Sequence, residues 1–184
     1  MDIRNTIDLL EAKSTVELER IKLPYAHTAL SPVTSKNTID NHYDKLYKGY
    51  VDRYNKGEGD RTFNEAGAFL HAIWFAQFRS PGTRQPKGVI LSLIERNHKN
   101  FVDFKAKFKE EAMKIQGSGW VYLARDGSIK TIKNHEIRMD IILLVDWWEH
   151  AFQFDYLADK KGYLRNQWRI INWNLIGSRI GRVS

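Results

Sequence analysis

Apolar residues recur along the chain with a period that changes as the sequence proceeds. Over 6–22, Ile7, Leu10, Val16 and Leu18 predict an amphipathic helix, interrupted by Ser14 and Thr15, that reads as an added N-terminal arm. "KLPYAHTALSPVTSKN" follows with two prolines and several turn formers and is an irregular connector. In "TIDNHYDKLYKGYVDRYNKG" the positions Ile39, His42, Tyr43, Leu46 and Tyr50 share one face of a helix that Thr38 can cap and Gly57 can end. After a polar turn, "FNEAGAFLHAIWFAQF" is apolar on nearly every side and predicts a buried helix with His71 in its middle. So short a turn makes the pair an antiparallel hairpin, which brings residues near the two midpoints together.

"SPGTRQPKG" is a second connector and places a boundary at about residue 88. "VILSLIERNHKN" and "FVDFKAKFKEEAMKIQ" return to helical spacing, and "GWVYLARDGSIKTIKNH" then alternates around the turn "RDGS" as an antiparallel hairpin does. "IILLVDW" is a further strand, too apolar to be exposed on either face, and "YLRNQWRIINWNLIGSRI" is helical again. The expected class is α+β: an arm at 1–22, a helical hairpin at 23–87 and an α/β domain at 88–184 with a small antiparallel sheet.

Composition narrows the chemistry. With no cysteine there are no disulfides, thiolate metal sites or thiol catalysis, so a metal here has to be held by histidine and carboxylate. No apolar run reaches the roughly 18 to 20 residues of a membrane span. The N-terminus lacks a basic-then-apolar signal pattern, and the expected setting is cytoplasmic. The 29 Lys and Arg exceed the 22 Asp and Glu, for a net charge of +7. Along the sequence these cations are scattered, with mild clusters at "KNFVDFKAKFK" and "SRIGRVS" and no recognition motif. A nucleic-acid partner is therefore not expected, whereas a small anionic substrate would be attracted.

The stretch "LLVDWWEHAF" places an aspartate, a glutamate and a histidine among aromatic and aliphatic residues, where polar groups are costly to bury. Inward positions elsewhere hold His42 and His71, with His135 at the end of the hairpin. One histidine on an apolar face is ordinarily a hydrogen-bonded core residue. His42, His71, Asp146 and His150 together offer neutral imidazoles and one carboxylate, a set suited to iron, manganese or, less well, zinc. The last two converge if the chain turns into a helix between them.

These residues carry a resemblance. From about Leu23 to Trp173 the chain resembles the iron/manganese superoxide dismutases: "LPYAHTALSP" is similar to the family's opening segment, "GSGW" to its sheet-entry motif, "DWWEHAF" to its Asp-x-Trp-Glu-His-Ala signature and "QWRIINW" to its C-terminal helix. The resemblance implies a two-helix hairpin followed by an α/β domain with a three-stranded antiparallel sheet. It implies one iron or manganese ion per subunit, held by His42, His71, Asp146 and His150. Tyr50 would guard the channel, Trp120 and Trp148 would form an apolar wall, and Glu149 would reach the partner subunit's His150 in a homodimer or homotetramer. His135 corresponds to a histidine found near the metal-bound solvent in some archaeal and actinobacterial members, where many others have glutamine. Gly67 stands where some iron enzymes carry that glutamine on the second helix.

The implied activity is conversion of superoxide to dioxygen and hydrogen peroxide by one-electron cycling of the ion, with Lys45 as a candidate for steering the anion. Departures from the family pattern are Leu46 and Gln153, where a histidine and a tyrosine usually bond across the interface, Leu70 in place of an asparagine and Phe152 in place of a tyrosine. The alternative is a superoxide-dismutase-like structural or assembly subunit with little activity, since a fold does not dictate function. His27 and His98 are expected in surface roles.

Overall fold

The computed structural model describes residues 17–181. Most of the arm helix expected over 6–22 lies outside them, and its remainder, 17–22, is not helical. There the backbone finds partners on the neighbouring helix instead of along itself. Leu18 N–H donates to Asn55 Oδ1 and Asn55 Nδ2 donates to Leu18 O, both at 2.9 Å, and Tyr43 Oη donates to Ile21 O at 2.6 Å. An extended segment whose N–H and C=O groups are met this way has no need of i→i−4 bonds.

The hairpin begins with α1 (Lys36–Asn41). Its cap is Ser35, not Thr38: Ser35 is extended, its side chain accepts from Thr38 N–H, and Thr38 lies buried in the first turn. The chain then passes through a π-helical stretch (His42–Tyr47) into α2 (Lys48–Lys56), which ends at Gly57 with φ 69°. The wider π turn rotates the buried stripe. Tyr47, five residues after His42, is 1% exposed, whereas Leu46, expected on the inner face, is half-buried. α3 (Arg61–Ala76) starts at an Asp60 cap that accepts from Phe63 N–H and returns antiparallel along α2.

α4 (Val89–His98) and α5 (Phe101–Met113) lead into β1 (Gly119–Ala124), β2 (Ile129–Lys133) and β3 (Ile141–Asp146). The sheet is antiparallel, in the order β2-β1-β3, with Trp120 opposite Asp146. β1 and β3 are buried along their whole length because α3 and α8 pack on β3 and α5 packs on β1 and β2. After β3 come a 3-10 turn (Glu149–Ala151), α6 (Gln153–Tyr156), α7 (Lys160–Gln167) and α8 (Trp173–Ile180). The tail is thus two longer helices, not one. Between them Ile171 bridges to Phe78, Arg79 N–H donates to Ile170 O and Asn172 N–H donates to Gln77 O, so the backbone there is taken up by the end of the hairpin. Among the described residues no helix is long and apolar enough to cross a membrane.

Candidate metal centre

Four elements deliver the four expected ligands to one point. His42 opens the π-helical stretch, and His71 lies on α3. Asp146 is the last residue of β3 and His150 sits in the 3-10 turn. One donor atom from each lies within 4.8 Å of the others. Around Asp146 Oδ2 the Nε2 atoms of His42 and His150 are at 3.3 Å and that of His71 at 3.9 Å. His42, His71 and Asp146 are fully buried and His150 is 17% exposed.

Two of the four, His71 and Asp146, are oriented by a second bond. His71 Nδ1–H donates to Gly67 O at 2.6 Å, one helical turn back, so Nε2 presents its lone pair. Asp146 Oδ1 accepts from Trp148 N–H at 2.8 Å, which aims Oδ2 inward, and Asp146 O accepts from the Tyr163 hydroxyl at 2.9 Å. Gly67 also admits Tyr50: a Cβ at position 67 would lie 2.7 Å from the Tyr50 ring.

Burial sets the charge states. Desolvation carries His42 from 6.5 down to about 4, and desolvation with neighbouring His42 carries His71 well below its ordinary value, so both are neutral near pH 7. Burial opposes ionisation of Asp146, but His150 and His42 outweigh it and hold the carboxyl below the usual range. The Nε2 atoms of His42 and His71 are buried with no hydrogen-bond partner among the described residues. Buried lone pairs left unmatched beside a buried carboxylate are costly unless a cation takes them up. Three imidazole nitrogens and one carboxylate oxygen fit iron or manganese.

A second layer surrounds these four. The Trp120 indole N–H donates to His135 Nδ1 at 3.1 Å. An indole nitrogen only donates, so the neutral His135 carries its proton on Nε2, which lies 2.9 Å from Tyr50 Oη and donates to it. That leaves the hydroxyl proton of Tyr50 for another acceptor. Burial, with the charge of Asp146, pushes the Tyr50 phenol up to about 12, and desolvation carries His135 down to about 4. Trp148 stacks on His135 with ring centres 4.7 Å apart and on His150 at 5.6 Å. His135, at the end of the strand hairpin, therefore turns inward, away from a surface role.

Glu149 and Gln153 are exposed, Lys45 is exposed without an ion pair among the described residues, and Leu46 is half-buried. Leu70 and Phe152 are buried, the latter against Tyr163 at 5.4 Å. His27 pairs with Asp40 at 2.7 Å, and His98 Nε2 lies 2.8 Å from Gly127 O, both part-buried.

Two neighbours escaped the sequence reading. Tyr47 stacks on His71, ring centres 5.8 Å apart, and only the π-helical turn puts it there. Phe63 packs 4.7 Å from His135. Its signal was available, because Phe63, Gly67 and His71 repeat at four residues along one face of α3.

The chain is similar to known proteins over most of its length. Residues 17–62 match the α-hairpin domain of iron/manganese superoxide dismutases and residues 86–179 match their C-terminal domain. A superoxide dismutase (Mn/Fe) of Porphyromonas gingivalis is 35% identical over 188 residues, covering 88% of this chain and 98% of the relative. A superoxide dismutase (Fe) of Sulfolobus acidocaldarius is 33% identical, covering 86% and 92%. One from Escherichia coli K12, also named for iron, is 30% identical, covering 86% and 95%.

Proposed function

The chain belongs to the iron/manganese superoxide dismutase family and is a superoxide dismutase, and on that premise we propose that His42, His71, Asp146 and His150 hold one iron or manganese ion as its working centre. The observation that carries this reading is the convergence of the four donor atoms within 4.8 Å in a buried site whose imidazole lone pairs are otherwise unmatched. When bound, such an ion supplies the one-electron couple that takes an electron from one superoxide and gives it to the next.

The chain's own residues supply the rest. Asp146 contributes the compensating negative charge, and the neutral imidazoles contribute lone pairs without adding positive charge. Reduction of superoxide to hydrogen peroxide consumes two protons, and the Tyr50 hydroxyl is a protonated donor at working pH. His135 acts through Tyr50: its single N–H holds the phenol oxygen, so the phenol proton points elsewhere. Trp120 fixes that tautomer, and Trp148 and Phe63 wall the site against bulk water. Lys45 and the net charge of +7 favour approach of a small anion.

Glu149, exposed next to a ligand, and the apolar residues Phe154 and Leu157, 64% and 74% exposed, are the surface through which the chain forms a homodimer or homotetramer, with Glu149 meeting the partner subunit's His150. The setting we propose is cytoplasmic.

The test joins two measurements on purified protein, elemental analysis and superoxide consumption. The expected result is close to one iron or manganese per chain with dismutation, and loss of both in Asp146→Ala. Metal at full occupancy with no superoxide consumption would assign the chain to a structural role instead.

A further inference from the structure

Basic residues that are scattered along the sequence are gathered by the fold. Arg84, Lys105, Lys109, Lys161, Arg165 and Arg169 line a cleft of about 630 Å³ between the connector at 80–88, α5 and the α7 region, and no carboxylate lines it. Lys105 and Lys109 follow Phe101 at steps of four along α5, and Lys161, Arg165 and Arg169 keep the same step along α7 and the turn after it. Each wall thus carries its cations one helical turn apart, about 6 Å of rise along the helices.

Among the described residues none of the six makes an ion pair. The acids that could serve them are occupied. Glu110 and Glu111 are taken by Lys107 and Lys114, and Asp159 accepts from Gly162 N–H at the start of α7. Arg84 is steadied by Ser80 O at 3.0 Å and Arg169 by Asn166 Oδ1 at 3.1 Å, bonds that place these guanidinium groups without neutralising them. Like charges held this close repel one another until an anion arrives.

The floor is of a different kind. Phe101 and Trp168 are half-buried and meet edge to face at 6.2 Å, Lys105 Nζ rests over the Phe101 ring at 4.8 Å until a base displaces it, and Val102 beside them is 70% exposed. A second basic hollow, with Arg79 and Lys87, continues past Arg84. Cationic walls over an aromatic and apolar floor match a ligand with a run of phosphates on one side and flat ring faces on the other.

We propose that this cleft binds single-stranded nucleic acid, its phosphates along the two cationic rows and its bases against Phe101, Val102 and Trp168. A duplex keeps its base faces stacked inside and offers this floor nothing. A single nucleotide has too few phosphates to engage two rows and the hollow beyond Arg84. The cleft shares no residue with the metal centre. Binding therefore stands or falls separately from dismutation.

The experiment follows the anisotropy of a labelled single strand of about 12 nucleotides, titrated with full-length protein from roughly 50 to 200 mM salt. With about five phosphates engaged, log affinity should fall against log salt with a slope of about −3.5. The triple variant Lys105→Ala, Lys109→Ala, Arg165→Ala should bind at least tenfold more weakly, with a slope shallower by about 2. A matched triple outside the cleft, Lys48→Ala, Lys56→Ala, Lys130→Ala, should keep both affinity and slope. Unchanged superoxide consumption in both variants would show that they remain folded. No binding at the low end of salt, equal loss in the two triples, a duplex of the same length binding as tightly, or a mononucleotide competing at equal concentration would each overturn the proposal.

Discussion

His135 shows how much one proton's position can decide. Its Nδ1 accepts from Trp120, so its only N–H goes to Tyr50. A glutamine there has a carbonyl for the indole and two amide protons, enough to serve Tyr50 and a second acceptor at once. His135→Gln should therefore keep the metal but move the pH profile and the potential of the bound ion, read by activity against pH and by redox titration. Gly67→Ala tests the neighbouring contact. The new Cβ would meet the Tyr50 ring at 2.7 Å, so Tyr50 must leave His135, with an expected cost of about 1–3 kcal/mol and a drop in activity larger than any loss of metal. A pH effect follows from His42 in chelated protein. Its folded-state value of about 4 lies below the unfolded 6.5, so between these values the unfolded chain binds a proton that the folded chain refuses. Stability falls as pH drops through that window, by about 2 kcal/mol from pH 7 to 5 for this residue, measurable by urea unfolding.

At the level of elements, the proposed ligands are placed by ties between segments distant in the chain. Asp155 Oδ2, on α6 just after the turn that carries His150, accepts from Ser35 N–H at 2.9 Å and from the Thr38 hydroxyl at 2.8 Å. That one carboxylate fixes the start of α1, and with it His42, to the end of the His150 turn. Asp155→Ala leaves a buried hydroxyl and a backbone N–H without an acceptor and should cost about 2–3 kcal/mol. The expected sign is a lower Tm with weakened metal retention, although Asp155 touches no ligand. Gln77 makes the corresponding tie for α3: its side chain donates to Leu144 O and accepts from Leu144 N–H, holding the helix of His71 against the strand of Asp146. Helix type and approximate limits were legible at this level from the spacing of apolar residues and from Gly57. The cap at Ser35 and the π-helical stretch were not, and neither was the division of the C-terminal helix, which is set by a partner far along the chain, the end of the hairpin at 77–79.

For the molecule as a whole, two of the proposed ligands come from the helical hairpin and two from the end of the sheet and the turn after it, so an ion bound there would join the two parts and its binding energy would add to folding. With free metal about a thousandfold above its dissociation constant this amounts to about 4 kcal/mol. At roughly 2–4 °C per kcal/mol for a chain of this size, chelation should lower Tm by about 10 °C, seen by calorimetry and reversed by iron or manganese. A Tm indifferent to chelation would mean that the four residues hold no ion. The charge of the molecule is also a property of this scale. A net +7 attracts any anion, and only the arrangement of the cations separates a diffuse field from a cleft that selects its ligand.

The four buried polar side chains proposed as ligands, the hairpin followed by an α/β part, and the strand that ends at Asp146 could be read from residue types and their spacing, because burial periodicity is local and because histidine and aspartate at apolar positions require compensation. The tautomer of His135, the place of Tyr47, the ties through Asp155 and Gln77 and the basic cleft required the folded chain. Hydrogen-bond partners, and the faces that come to lie opposite one another, depend on how separate segments pack, and one-dimensional spacing carries no information about that.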